Sequence, residues 1–270
     1  MSSEGVGRES SRAGRVFPCV HLGHVPLERV RLPEVLGSIE ALVVSGLGGH
    51  VLAPGVAQVV LAEEDTGLRE AFATAALSLA GGPELVRAAR WIGQSLPEEL
   101  AGAEWVPPLA RRARERSWRI FVVAEEPGVA EWSAGFLRDR YGVLAVGATS
   151  PKLSVDAPGP EVDRLLERIS LTRPHLVLVS MSTPRQERFC QYAGTRLQPA
   201  VVIGLGRAME SLVDTERPRP RRRAGRGWLD GCRRLLTEPV RRLHRKLSFL
   251  RIVLRSRRPQ RLALPVGAGA

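Results

Sequence analysis

Apolar runs that show no polar alternation constrain this chain more than any other feature. RIFVVAEE (119–126), HLVLVSMS (175–182) and AVVIGLG (200–206) are of this kind, and a strand that is hydrophobic on both faces needs helices above and below its sheet. From Val16 to about Gly206, short β-rich runs end in Gly, Ser or Pro, and a longer helical run follows each. Strands are expected at Cys19–Leu22, His50–Leu52, Leu77–Leu79, Arg119–Val123, Val143–Val146, His175–Val179 and Val201–Ile203. Helices are expected over Leu32–Val44, Val56–Ala75, Pro83–Ile92, Pro107–Arg116, Gly128–Arg140, Pro160–Leu171 and Pro184–Leu197. Strand and helix in repetition imply a parallel sheet with right-handed crossovers. The fold class is therefore α/β, a Rossmann-like parallel sheet with flanking helices over residues 15–214.

Outside that span the composition changes. Residues 1–14 are Ser, Gly, Glu and Arg without apolar period and read as a disordered leader. Residues 215–227 form an Arg/Pro/Gly linker that cannot build a core, 228–258 a basic helical appendage, and 259–270 a tail. In the appendage Leu243, Leu247, Leu250 and Leu254 make a narrow apolar stripe, with Phe249 and Ile252 lying off it. Of the net charge of +12, the segment from Arg217 to Arg261 holds 17 Arg and Lys against Asp230 and Glu238, which is +15 and leaves −3 for the remainder. Such a cluster seeks phosphate, on a nucleotide, a nucleic acid or an anionic lipid. The tail lacks aromatics interleaved for base stacking, so nucleic acid is the weakest of the three. Removing the residues after Asp214 is expected to leave the α/β domain folded.

The remaining composition narrows the classes further. A 44% hydrophobic, 25% charged chain of 270 residues is globular in type, not collagen-like or a coiled coil. Cys19, Cys190 and Cys232 form no CxxC pair, which signals neither a disulfide framework nor a zinc knuckle. The sequence holds no run of 18 apolar residues and no apolar segment after its first charges, so a cytoplasmic protein is expected. A full dinucleotide fingerprint, a P-loop, a GxSxG elbow and an HExxH are absent. His21 and His24 read as surface and turn residues and Cys190 as core, so no metal and no cofactor are expected.

In doubly wound sheets ligands bind beyond the carboxyl ends of the strands, which directs attention to Ala53-Pro54-Gly55, Gly81-Gly82, Glu125-Glu126, Ser180 to Glu187 and Gly204 to Arg207. Three elements there come in a fixed order: Pro184-Arg185-Gln186-Glu187 after a strand, then VVIGLGRAME, then RRLLTEPVRRLHRK in the basic tail. Together with GHVLAPGVAQVVLAEEDTGLREAF, LAGGPELVRAARWIG and RIFVVAEEPGVAEWSAGFLRDRYGVLAVG upstream, this pattern resembles the WecB/TagA/CpsF family of bacterial glycosyltransferases from about Val16 to about Leu250.

The resemblance implies transfer of an N-acetylated sugar from a UDP-sugar to an undecaprenyl-diphosphate-linked acceptor at the inner face of the plasma membrane. It maps substrate-binding roles onto Gly82, Pro184, Gln186, Gly204, Gly206, Arg234 and Arg242. The chain departs from the family pattern where the proposed chemistry lies. The family's Thr-x-Asn falls on Ala53 and Gly55, and its Asp-Gly, whose aspartate is the proposed base, on Gly81-Gly82. Glycine cannot take a proton from an acceptor hydroxyl. Glu104, Glu187 and Glu210 are therefore the candidate replacements, and an aspartate placed at 81 is expected to raise activity. Gly81, Glu104, Gln186, Glu187 and Gly206 are expected around one cleft. The partners implied are the UDP-sugar, the lipid-linked acceptor and an anionic membrane surface bound through 217–261, with a homo-oligomer left open. The alternative reading is a catalytically inactive homologue that binds a nucleotide sugar or lipid, or acts as a scaffold.

Overall fold

The computed structural model describes residues 17–150, 159–206, 208, 209 and 243–257. Its elements in chain order begin with β1 (Cys19–Leu22), β2 (Val25–Glu28), α1 (Leu32–Ser45), β3 (Gly49–Leu52), α2 (Val56–Leu61), α3 (Thr66–Ala73), β4 (Leu77–Ser78) and α4 (Pro83–Trp91). There follow α5 (Gly102–Glu115), β5 (Arg119–Ala124), α6 (Val129–Tyr141), β6 (Leu144–Thr149), α7 (Pro160–Leu171), β7 (Leu176–Ser180), α8 (Arg185–Arg196) and β8 (Val201–Gly204). A last helix, α9, spans 243–256.

Six strands pair in parallel in the order β4-β3-β8-β7-β5-β6. Their side chains alternate between two cores, as the pleat requires. Ile120, Val122 and Ala124 face a core built with α1, α5 and α6. Phe121 and Val123 face one built with α3, α4, α7 and α8. Both faces are thus covered, which is why the strands read as unbroken apolar runs. The expected α/β parallel sheet with flanking helices is what forms.

Three expectations need correction. Cys19–Leu22 does not join the sheet; it pairs antiparallel with β2 in a separate hairpin turned at Gly23, where φ is +61°. The hairpin is tied to the sheet because the Ser78 amide of β4 donates to Glu28 at 2.6 Å. The helix expected over 56–75 breaks into α2 and α3, because Asp65 caps α3 by accepting the Leu68 amide at 2.9 Å and also takes the Arg188 guanidinium at 2.7 Å. Finally, α5 begins at Gly102, with Pro107 and Pro108 inside it. Burial of Trp105 and Val106 against the sheet stabilises the extra turn.

Helix α9 lies on the core shared by α4 and α8. Ile252 and Val253, each 3% exposed, belong to that core, with Phe249 packed beside them. Removal of the tail therefore strips the domain of core side chains, contrary to expectation. The position of Phe249 and Ile252 off the leucine stripe has its reason here, since they face the domain. Leu243, Leu247, Leu250 and Leu254 point outward, 59%, 48%, 48% and 48% exposed. The end of α9 is held by a Gly23 amide donating to Ser256 Oγ at 3.3 Å and by an Arg255–Glu63 ion pair. Among the described residues no helix is long and apolar enough to cross a membrane. The leader, the linker, residues 228–242 and the tail after 258 lie outside the described residues.

Candidate active site

Beyond the carboxyl ends of β3 and β4 the loops are short and glycine-rich, and a groove of about 860 Å³ opens there. Gly55, Gly81 and Gly82 form its base, and α4 contributes Glu84, Arg87 and Trp91. The opposite wall is α9, through Arg245, Lys246, Phe249 and Leu250. Among the described residues three cationic side chains thus face a largely apolar cleft with one carboxylate, Glu84, which lies 3.6 Å from Arg87. Phosphate oxygens suit such a wall.

Gly81 has no room for a side chain. Its amide donates to the Pro54 carbonyl at 2.9 Å. A Cβ there would overlap the carbonyl of Ala53 and come within 2.8 Å of the Pro54 oxygen. These are backbone atoms, so relief requires the whole 53–55 loop to retreat. An aspartate at 81 therefore cannot simply restore a base, which corrects the expectation drawn from the sequence. Gly82 differs, because a Cβ there meets only the mobile end of Glu84, at 3.2 Å.

Gln186 and the two late glycines form a second unit. Gln186 is 4% exposed, and its Oε1 accepts the Gly206 amide at 2.6 Å and the Met181 amide at 3.4 Å. Gly206 sits at φ +57° and Gly204 passes close under the Gln186 side chain, so that a Cβ on Gly204 would lie 3.1 Å from Nε2. The bonds that Gln186 Oε1 accepts therefore run from the backbone and fix the loops after β7 and β8. Pro184 precedes α8 as its N-cap residue, with no side-chain cap.

Glu187 lies beside this unit, 2% exposed. Its Oε1 accepts from Thr183 Oγ1 at 3.1 Å and Gln58 Nε2 at 3.5 Å, while Oε2 is buried without a hydrogen-bond partner among the described residues. Burial pushes the carboxyl above its ordinary value, with the Thr183 and Gln58 bonds offsetting part of the rise. Gln58 also donates to Thr183 at 3.0 Å and accepts the Gly55 amide at 3.1 Å, so it links the base of the groove to Glu187. Nothing in the sequence pattern marked Gln58 or Thr183 for this role.

Glu104 occupies the exposed first turn of α5. Burial of Glu99, with the charges of Glu104 and Glu84 beside it, raises the Glu99 carboxyl. Of these three acids Glu84 alone lines the groove. Gly102, at the start of the same helix, packs on the Leu205 carbonyl. Of the five residues expected around one cleft, Gly81 lines this groove and the others do not, although all five follow the carboxyl ends of strands or begin α5 and α8. Glu210, Arg234 and Arg242 lie outside the described residues.

The crevice where the chain reverses direction across the sheet lies between β5, which leads to β6, and β7, which leads to β8. Glu125 fills it, accepting the Ser182 amide at 3.0 Å and hydroxyl at 2.7 Å and pairing with Arg185. Burial opposes its charge, but these donors hold the carboxyl below its ordinary value. The open groove is therefore displaced toward β3 and β4. Sequence reasoning missed Arg245 and Lys246 as groove residues because they sit in a charge run with no strand end nearby. Among the described residues no group of three or more His, Cys, Asp or Glu is placed to hold a metal. The model of the glycosyl transferase WecG/TagA/CpsF family matches residues 20–263, nearly the whole chain.

Proposed function

The chain belongs to the WecG/TagA/CpsF family of glycosyl transferases, and on that premise we propose that it moves an N-acetylated sugar from a UDP-sugar to an undecaprenyl-diphosphate-linked acceptor in the groove between α4 and α9. The observation that carries this reading is the wall of Arg87, Arg245 and Lys246 around an apolar cleft at the carboxyl ends of β3 and β4. In the reaction a carboxylate takes the proton of the acceptor hydroxyl, whose oxygen attacks the anomeric carbon. The bond from that carbon to the β-phosphate oxygen breaks, and the charge gathering on UDP is stabilised by the cations. Glu104 is the carboxylate this reading favours, since it is exposed, whereas Glu187 is buried and held toward its neutral form.

The outward leucines of α9, with Arg251 among them, suit an anionic bilayer, and the reading puts the protein at the inner face of the plasma membrane. A second reading, a catalytically inactive homologue that binds the nucleotide sugar, draws support from the closed backbone at Gly81. Turnover of a UDP-sugar panel with a short-chain lipid-diphosphate acceptor separates the two. Transfer that falls by about 10²-fold or more in Glu104→Gln supports the enzyme. UDP binding by calorimetry without any turnover supports the inactive binder, and absence of both removes the groove reading.

A further inference from the structure

We propose that the cavity between the β1–β2 turn and the last turn of α9 is a second phosphate site, for the phosphoryl group of a lipid headgroup or of a soluble phosphate. The cavity measures about 780 Å³. His21 and His24 line it from the hairpin, Gln94 from the loop after α4, Arg255 and Ser256 from the end of α9, and Arg257 from the turn that follows. Two guanidiniums, a carboxamide and two imidazoles supply donors of the kind that phosphoryl oxygens take, while the Ser256 hydroxyl donates to the Ile252 carbonyl at 3.0 Å.

Charge favours the same ligand. Among the described residues Glu63 is the one carboxylate in the lining, and Arg255 already pairs with it. Counting the imidazoles as neutral, Arg255 and Arg257 against Glu63 leave the cavity at +1. Arginines in a last helical turn ordinarily serve that helix's own carbonyls. Here they do not: Arg255 reaches to Glu63, and the Arg257 guanidinium lies over the Trp91 ring, 5.2 Å from its centroid. Among the described residues no carboxylate pairs with Arg257. Trp91 lines the groove with Arg245 and Lys246, so one indole separates the two cationic spaces.

The test follows the Cε1–H resonances of the five histidines in the full chain during titration with two probes, inorganic phosphate and dihexanoyl-phosphatidylglycerol below its micelle concentration. Saturable shifts of His21 and His24 are expected, weakened about tenfold in Arg257→Gln and less in Arg257→Lys. Arg257 is exposed, and an unmoved resonance from the buried His50 certifies that the variants are folded. Tighter binding of the diester assigns the site to a lipid headgroup, and tighter binding of inorganic phosphate assigns it to a soluble phosphate. Absence of shifts at His21 and His24 with both probes, or equal affinity in Arg257→Gln, overturns the proposal.

Discussion

The Gly206 amide donates to Gln186 Oε1 at 2.6 Å, and through that bond the first turn of α8 holds the loop that leaves β8. One carboxamide thus aligns the ends of two adjacent strands. Gly204 allows it, because Leu52 Cδ2 and Gln186 Nε2 both stand within about 3.1 Å of where a Cβ would be.

Gln186→Ala should therefore cost about 1–3 kcal/mol, the penalty for leaving backbone donors unpaired near the core. Gly204→Ala should cost a similar about 1–3 kcal/mol by overpacking. Chemical denaturation measures both. A double variant that destabilises by less than the sum of the singles would confirm that they act at one contact.

Gly81→Asp should lower the melting temperature and yield no gain in transfer, because the side chain must displace the carbonyls of Ala53 and Pro54. Gly82→Asp should be tolerated, since its backbone is extended and Asp is a favourable residue at the N-cap position it holds before α4. Thermal unfolding of the two variants side by side distinguishes them. Equal melting temperatures would refute the steric account.

Glu187 carries a pH signature. A carboxyl raised by burial keeps in the fold a proton that the unfolded chain releases. Its stabilising effect is complete below the ordinary value of about 4.3 and declines as pH rises toward the raised folded value. Glu187→Gln holds no such proton. Urea unfolding at a series of pH values should show the variant gaining on the wild type as pH climbs, by about 1.4 kcal/mol for each unit of the rise. A difference that stays constant with pH would mean that Glu187 titrates alike in the folded and unfolded chains and that burial does not raise it.

The two faces of α9 can be separated by single substitutions. Leu250→Glu should leave the unfolding free energy within about 0.5 kcal/mol of wild type, as an exposed position does. It should also weaken binding to anionic vesicles. Ile252→Glu should destabilise the protein by about 2 kcal/mol or more, or detach α9, because it buries an unpaired charge. Sedimentation with vesicles and denaturant titration of both variants give the answer. Undiminished vesicle binding by Leu250→Glu would place the membrane contact elsewhere.

The sheet could be read from the sequence because its strands are buried on both faces, and runs such as Val201–Gly204 admit little else. The hairpin could not, since Val25–Glu28 contains a proline and its pairing with Cys19–Leu22 is a local matter that hydrophobic pattern does not register. The break at Asp65 turned on a cap and on Arg188, 123 residues away. PRQE and GLG drew attention to the loops after β7 and β8, but nothing in the letters says that Gln186 bonds to backbone or that Glu187 is sealed from water. The groove itself needs α9, whose contribution depends on tertiary docking through Ile252 and Val253.

The contact between Gly81 and the Ala53 carbonyl also sets an order on any change at this site. A single codon change that introduces a carboxylate at 81 meets a closed backbone, so selection for improved transfer would discard it. Changes at 53–55 that draw the loop back come first, and only in that background is position 81 open to a larger residue. A mutant library built one position at a time would therefore miss this solution, while one that varies 53–55 and 81 together contains it.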